Sequence, residues 1–153
     1  MSGKALPTLT EWSKQHISAV FESRNDAESL RAVEETFSPD VRVLLNGTPV
    51  NREGVKQLVV AMRRAAPAGL KVDWQVTVDV PKDPSNRNGA FGGVYVVRGQ
   101  RKELPGTKGV VDIERHKSVN VVIQSQSEDP STDSRKIVNL VFVAADLPTR
   151  AKL

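Results

Sequence analysis

Residues 70–80 read LKVDWQVTVDV, with an apolar side chain at every even-numbered position and a polar one at every odd-numbered position. Alternation with a period of two is typical of a β-strand that buries one face. Three more long strands are predicted over residues 91–104, 107–126 and 135–146, separated by polar loops and turns. Gly92-Gly93 in the second of them predicts a bulge or bend. We therefore expect four long antiparallel strands joined by hairpins.

The residues before this stretch have helical periodicity. The first predicted helix spans residues 10–23, with Thr10 as its N-cap. The second begins after an Asn25-Asp26 cap and ends at Ser38-Pro39-Asp40, because a proline disfavours helical backbone in the residue before it.

A short strand over residues 41–45 and a tight turn at Asn46-Gly47 lead to a third helix that begins at Asn51. Helices gathered first and strands last predict an α+β fold, with the helices on one face of the sheet. Strands this long must bend strongly to fit a compact domain. We therefore expect a strongly curved, mixed or antiparallel sheet wrapped around three N-terminal helices, as a cone-shaped α+β barrel.

The chain of 153 residues has the size of one domain, which we place at residues 10–147 between tails at 1–9 and 148–153. It contains no cysteine and two histidines, so disulfide scaffolds and thiol chemistry are excluded and we expect neither a metal nor a cofactor. The net charge is +4, but the basic residues are dispersed, and we expect no nucleic-acid partner. The apolar runs are too short to predict a membrane span.

The N-terminal segment has no apolar signal-peptide core, so we expect a cytoplasmic protein. The last three residues, Ala151-Lys152-Leu153, resemble the C-terminal tripeptide that directs proteins to peroxisomes. If the source is a eukaryote, the peroxisomal matrix is the alternative location.

Four short segments occur in this order along the chain: FSPDVRV at 37–43, Asn46-Gly47, NREGV at 51–55 and RKI at 135–137. With the predicted order of helices and strands, they resemble the nuclear transport factor two-like superfamily, whose cone fold also occurs in ketosteroid isomerases and polyketide-cyclase-like proteins. The resemblance covers roughly residues 10–147 and points to no particular member. It implies a mostly apolar pocket inside the cone, although this fold hosts enzymes, binders and interaction modules alike.

The catalytic sets known from this superfamily are missing from the matching positions. The isomerase base is an aspartate at the end of the first strand, where this chain has Leu45, and the single tyrosine, Tyr95, is not on the first helix. The Arg-x-Asp strand pattern of the epoxide hydrolases is absent from the predicted strands. One tyrosine is also too few for the scytalone dehydratase pattern.

The remaining catalytic candidates are Asp112, Glu114 and His116, which share one face of the third long strand. Residues two apart on a strand lie about 6.6 Å from each other, a spacing that suits a carboxylate tuning an imidazole base. If this face lines the cone, His116 is the candidate base. The alternative, which we favour, is that these charges form the solvent face.

Six further residues are candidates for the pocket wall because they lie on the apolar helix face, in the helix–strand junction or in the central sheet. They are Trp12, His16, Phe37, Trp74, Tyr95 and Arg98. Packing in the core, or across strands, is the alternative role for each of them.

The last two strands carry apolar residues on both faces, for example Val121-Val122 and Val141-Phe142-Val143. One face covers the helices, and a second copy of the sheet would cover the other, so we expect a homodimer. Three functions remain open: a homodimer that binds a small apolar or mixed-polarity molecule, which we favour; a polyketide-cyclase-like lyase, isomerase or hydrolase using His116 with Asp112 or Glu114; and a non-catalytic protein-interaction module.

Overall fold

The structure is a computed structural model that describes residues 6–149, and the tripeptide Ala151-Lys152-Leu153 lies outside the described residues. Three helices and six strands follow one another in the order α1, α2, β1, β2, α3, β3, β4, β5 and β6. Their bounds are α1 Leu9–Glu22, α2 Asp26–Thr36, β1 Phe37–Leu45, β2 Thr48–Val50, α3 Arg52–Arg64, β3 Lys71–Pro81, β4 Gly89–Lys102, β5 Val111–Ser125 and β6 Arg135–Pro148.

The six strands form one mixed sheet in the order β2-β1-β6-β5-β4-β3. The four long strands pair antiparallel, as predicted, while β1 runs parallel to β6. The expected α+β class with three helices against a curved sheet is confirmed. The sheet is open rather than closed into a barrel, because β2 and β3 are its two edges.

Local signals set most of the helix starts. The side chains of Asn25 and Asn51 accept hydrogen bonds from the backbone N–H groups of Glu28 and Gly54, each at 2.8 Å, and so cap α2 and α3 as predicted. Asn46 and Gly47 both have positive φ, at 49° and 82°, which is the backbone that a tight hairpin turn between β1 and β2 requires.

The N-cap of α1 differs from the prediction. Thr8, not Thr10, accepts the capping hydrogen bond, from the backbone N–H of Glu11 at 3.1 Å. Thr10 instead donates its backbone N–H and its hydroxyl to Asp79 on β3, at 2.9 and 2.7 Å. The Thr10 side chain, which the local pattern assigned to the cap, is therefore used in a tertiary hydrogen bond to Asp79.

Two strand boundaries also differ from the prediction. β1 begins at Phe37, so the Ser38-Pro39-Asp40 segment belongs to the strand. β1 pairs with β6 at Phe37 and again from Arg42 onwards, and the segment lies between these two pairings. A proline there costs no hydrogen bond between the strands. β5 begins at Val111 rather than at residue 107, after the turn in which Thr107 bonds back to Leu104.

The alternation along β3 does not bury one continuous face, which corrects the prediction. The register with β4 shifts between Trp74 and Val76, so that Gln75 is an extra residue in the strand. Such a bulge moves every following side chain to the opposite face. Val72 is buried on the inner face, whereas Val76, Val78 and Val80 are exposed on the outer face.

Of the bulge or bend predicted at Gly92-Gly93, the bulge is not observed. Both glycines pair regularly with β3 and β5, and the irregularity in β4 lies between Arg98 and Arg101. Gly99 has φ +116°, and a Cβ there would lie 2.2 Å from the carbonyl oxygen of Gly69. Only glycine fits this position, because both the backbone angle and the close approach exclude a side chain.

The core lies between the inner face of the sheet and the three helices. It is continuous from Leu9 and Trp12 on α1, through Val59 on α3, to Phe91 and Ile137 on the sheet. Within residues 6–149 there is no helix with the length and apolar character needed to cross a membrane.

Candidate functional site

A cavity of about 50 Å³ lies between the helices and the inner face of the sheet. It is lined by residues of α1, α3, β1, β4, β5 and β6, nearly all of them aliphatic or aromatic. The polar exceptions are Tyr95, Arg115 and Lys117. A volume of this size corresponds to roughly three to five water molecules.

Lys117 is the unusual member of this lining, because it is only 7% exposed. Its Nζ lies 4.3 Å from the centroid of the Phe21 ring, 5.4 Å from that of Phe142 and 5.5 Å from that of Tyr95. No residue among 6–149 accepts a hydrogen bond from Nζ or pairs with it as a carboxylate. A buried ammonium without a counter-ion is costly, so this lysine calls for a functional explanation.

Strand pairing puts Lys117 in the cavity. It stands between Tyr95 on β4 and Ala144 on β6, and its own strand buries the odd-numbered residues Ile113, Val119, Val121 and Ile123. The sequence interpretation missed it. The signal was available, since a lysine that shares the parity of four apolar neighbours is predicted to face the core.

Burial changes the acid–base behaviour of Lys117 and of Tyr95. Burial lowers the pKa of Lys117 to about 7; the nearby charge of Arg115 lowers it further, and Asp146 works in the opposite direction. Burial also raises the pKa of Tyr95 well above its ordinary value, so the phenol keeps its proton. Near neutral pH the cavity therefore holds a phenol donor beside an amine that exchanges its proton readily.

Arg115 links the cavity to a charge cluster near one end of β5 and β6. Its Nη1 donates to Asp146 at 3.0 Å, and the same carboxylate pairs with Lys102. The Nε of Arg115 is buried and finds no partner within residues 6–149. The cavity lining thus includes two cationic side chains, Arg115 and Lys117, and the Arg115 guanidinium is held by Asp146.

The three candidate catalytic residues lie on the outer face of the sheet, away from this cavity. The His116 side chain is 44% exposed, and its Nε2 is 3.8 Å from a carboxylate oxygen of Glu114. Glu114 pairs with Arg98, and Asp112 pairs with Arg101. The condition attached to His116, that its face lines the cone, is not met, because the odd-numbered residues of β5 face inward.

Of the six candidate pocket residues, Phe37 and Tyr95 line the cavity. Trp12 is buried in the core and is not part of the cavity lining, and His16 stacks on Trp12 and bonds through Nδ1 to the Trp12 carbonyl oxygen. Trp74 packs behind Tyr95, and its indole N–H donates to Ser18. Arg98 lies on the outer face, paired with Asp73 and Glu114.

The outer face of the sheet carries a second feature, a group of exposed apolar side chains that we call the valine face. Across the strands, Val143 stands beside Ser118, then Val94, then Val76, and the next row contains Val141 and Val78. The valine face consists of Val76, Val78, Val80, Val94, Val141 and Val143, all exposed. The bulge at Gln75 is what brings the β3 valines into it.

Among residues 6–149, no three His, Asp or Glu side chains are grouped so that they could hold a metal ion. The polar groups of the cavity are suited to binding an organic molecule with an acceptor oxygen.

Searches with the sequence found no family model and no curated protein that matches. Comparison with solved structures found several similar folds. A protein of unknown function from Pseudomonas aeruginosa, described as NTF-2-like, is 10% identical over 89% of this chain and 94% of its own, with a TM-score of 0.58.

A chain from the Candida albicans Mtr2–Mex67 M domain complex is 11% identical over 93% of this chain and 96% of its own, with a TM-score of 0.59. IdmH from Streptomyces antibioticus, a candidate polyketide cyclase, is 17% identical over 86% of this chain and 90% of its own, with a TM-score of 0.53. The chain has the nuclear transport factor two-like fold. At these identities the likeness shows this cone fold alone, since the fold hosts many functions.

Proposed function

We propose that this protein is an intracellular homodimer that binds a small, mostly apolar molecule carrying an acceptor oxygen inside the cone. The observation that supports this is the buried amine of Lys117, which lies among aromatic rings in a cavity lined almost wholly by apolar side chains. A ligand oxygen would satisfy this donor, while the apolar part of the ligand would contact side chains such as Val119 and Phe142.

A matched pair of ligands tests this proposal. Tetrahydrofuran and cyclopentane have nearly the same shape, but only the first has an acceptor oxygen, and neither reacts with an amine. We expect the wild-type protein to bind tetrahydrofuran roughly 10- to 100-fold more tightly than cyclopentane, the worth of one hydrogen bond to a charged or polarised donor. Amide chemical shifts of Tyr95, Lys117 and Val119 in an NMR titration measure both dissociation constants.

The variant Lys117→Met should lose most of this preference, and Lys14→Met, an exposed change on α1, should keep it. If neither ligand shifts the cavity amides, the proposed binding function is wrong.

The homodimer is proposed through the valine face. An exposed apolar group of this extent is typical of an interaction surface, and two copies related by a two-fold axis would cover it with the same residues. Val78 is 62% exposed, yet it stands beside other apolar side chains rather than alone.

Charges introduced into this face should separate the protomers. We expect Val78→Asp combined with Val143→Asp to weaken dimerisation by at least about 100-fold, because unpaired carboxylates are costly to bury. Light scattering should then give a monomer mass at a concentration where the wild-type protein is dimeric. Val110→Asp is the control, since Val110 is exposed in the loop before β5. A monomeric wild-type protein would contradict the homodimer and favour the interaction module, with a different protein on this face.

A catalytic role of the isomerase or cyclase kind is the second candidate. The buried Lys117–Tyr95 pair favours it, because a proton-exchanging amine beside a protonated phenol can act on a bound carbonyl compound. His116 contributes nothing to this candidate, since its side chain lies on the other face of the sheet.

A further inference from the structure

We propose that Lys117 is a nucleophilic amine that forms an imine with a small aldehyde or ketone bound in the cone cavity. This inference rests on the proposed function, because the carbonyl compound must first enter the same cavity. It names the ligand class as carbonyl compounds and assigns Lys117 a covalent role that simple binding does not require.

The surroundings of Nζ favour the neutral amine over the ammonium. α1, α3 and β1 present only apolar side chains to the cavity, among them Phe21 and Phe37. β4 contributes the neutral phenol of Tyr95, β5 contributes the cation of Arg115, and β6 contributes Asp146. That carboxylate is already engaged by Arg115 and Lys102, so it offers Lys117 little compensation.

A lysine that loses its charge through burial in an apolar pocket, next to another cation, keeps a free lone pair at neutral pH. The three rings around Nζ act in the other direction, since aromatic faces attract the ammonium. Both forms are therefore available, and the amine needs no neighbouring base to become reactive.

The reaction balances without an added reagent. The Nζ lone pair attacks the carbonyl carbon, and the π electrons of the C=O bond move to oxygen. One proton passes from nitrogen to that oxygen, giving a carbinolamine. The phenol of Tyr95 then protonates the hydroxyl group, and the nitrogen lone pair expels it as water. The resulting iminium returns a proton to the phenolate, which leaves the neutral imine and restores Tyr95. Burial raises the pKa of Tyr95, so the phenol keeps its proton at neutral pH and is the donor for the carbonyl oxygen.

The cavity limits the size of the carbonyl compound. Its volume of about 50 Å³ admits a molecule of roughly four or five non-hydrogen atoms without movement of the helices. The lining residues with partial exposure are Leu58 and Arg115, whereas the others are buried. Propanal fits this size and is the probe that we choose.

The test is reductive trapping. The purified protein is incubated with propanal and sodium cyanoborohydride at pH 7, and intact mass followed by peptide mapping locates each added propyl group. We expect Lys117 to be labelled at least about tenfold faster than any surface lysine, because those remain ammonium ions at this pH. Tetrahydrofuran should slow the labelling of Lys117 and leave the surface lysines unaffected.

Two variants and one comparison make the outcomes distinct. Lys117→Met should lose the fast label, and Lys14→Met should keep it. If tetrahydrofuran binds but Lys117 is labelled no faster than Lys14, the imine proposal is overturned and the binding function stands. If tetrahydrofuran also fails to bind, both proposals fall.

Discussion

Replacing Lys117 by methionine is expected to raise the free energy of unfolding at pH 7 by about 3 kcal/mol. Lowering the lysine pKa from 10.5 to about 7 corresponds to roughly 4 to 5 kcal/mol of net cost for the ammonium, mainly from burial and also from the nearby Arg115; the surrounding rings return about 1 to 2 kcal/mol. Methionine fills a similar volume and has no charge to desolvate. Urea unfolding at one fixed protein concentration measures the difference.

The pH dependence gives the second half of this prediction. The unfolded lysine holds its proton up to about pH 10.5, whereas the folded one releases it near pH 7. The unfolded state therefore binds more protons between these values, and the stability of the wild-type protein rises with pH relative to the variant. The advantage of Lys117→Met should be full below pH 7 and should shrink steadily towards pH 10.

Lys14→Met controls for the loss of one positive charge and should change neither the stability nor its pH dependence appreciably. A Lys117→Met variant that is less stable than wild type at pH 7 would mean that the amine has a favourable partner in the folded protein. A variant that is more stable than the wild-type protein is the usual result at sites where function opposes stability.

Replacing Arg135 by leucine is expected to lower the free energy of unfolding by about 3 to 5 kcal/mol. The side chain is 0% exposed and holds Asp133 with two parallel hydrogen bonds, at 2.8 and 2.9 Å. Its Nη1 also donates to the carbonyl oxygens of Pro7 and Asn86, at 2.7 and 2.9 Å. Leucine would leave all of these acceptors without their donor.

Arg24→Leu is the matched control for this experiment. Arg24 is 88% exposed and, among residues 6–149, pairs with Glu28 one helical turn away, so its loss should change stability by less than about 0.5 kcal/mol. Arg135→Lys should recover only part of the loss, since an ammonium cannot hold the carboxylate and two carbonyl groups in the same geometry. Equal stabilities of Arg135→Leu and Arg24→Leu would show that the buried guanidinium contributes nothing net.

The three helices, the Asn46-Gly47 turn and the presence of four long strands were predictable because each has a local cause. Asn25 and Asn51 cap helices with their own side chains, and Asn46-Gly47 supplies the backbone of the hairpin turn. The predictions that failed are those that depend on a partner strand or helix. Thr10 is held by Asp79 on β3, and the register irregularity of β4 lies between Arg98 and Arg101, where Gly99 closely approaches the Gly69 backbone.

The candidate site was only partly predictable. The apolar odd-numbered residues of β5 indicate that Lys117 faces the core, but they do not say which side chains of other elements surround it. The pairing of β5 with β4 and β6 put Tyr95 and Ala144 beside it. Strand register also decided the outer face, where one extra residue at Gln75 turned the β3 valines from the core to the surface.

The sequence by itself determined the order of helices and strands, and with it the α+β class, because periodicity, caps and turns act over a few residues. The tertiary structure alone decided which side chains share the cavity. Residues from six elements meet there, and their meeting depends on strand register, on one bulge and on the parallel pairing of β1 with β6, which joins segments about a hundred residues apart.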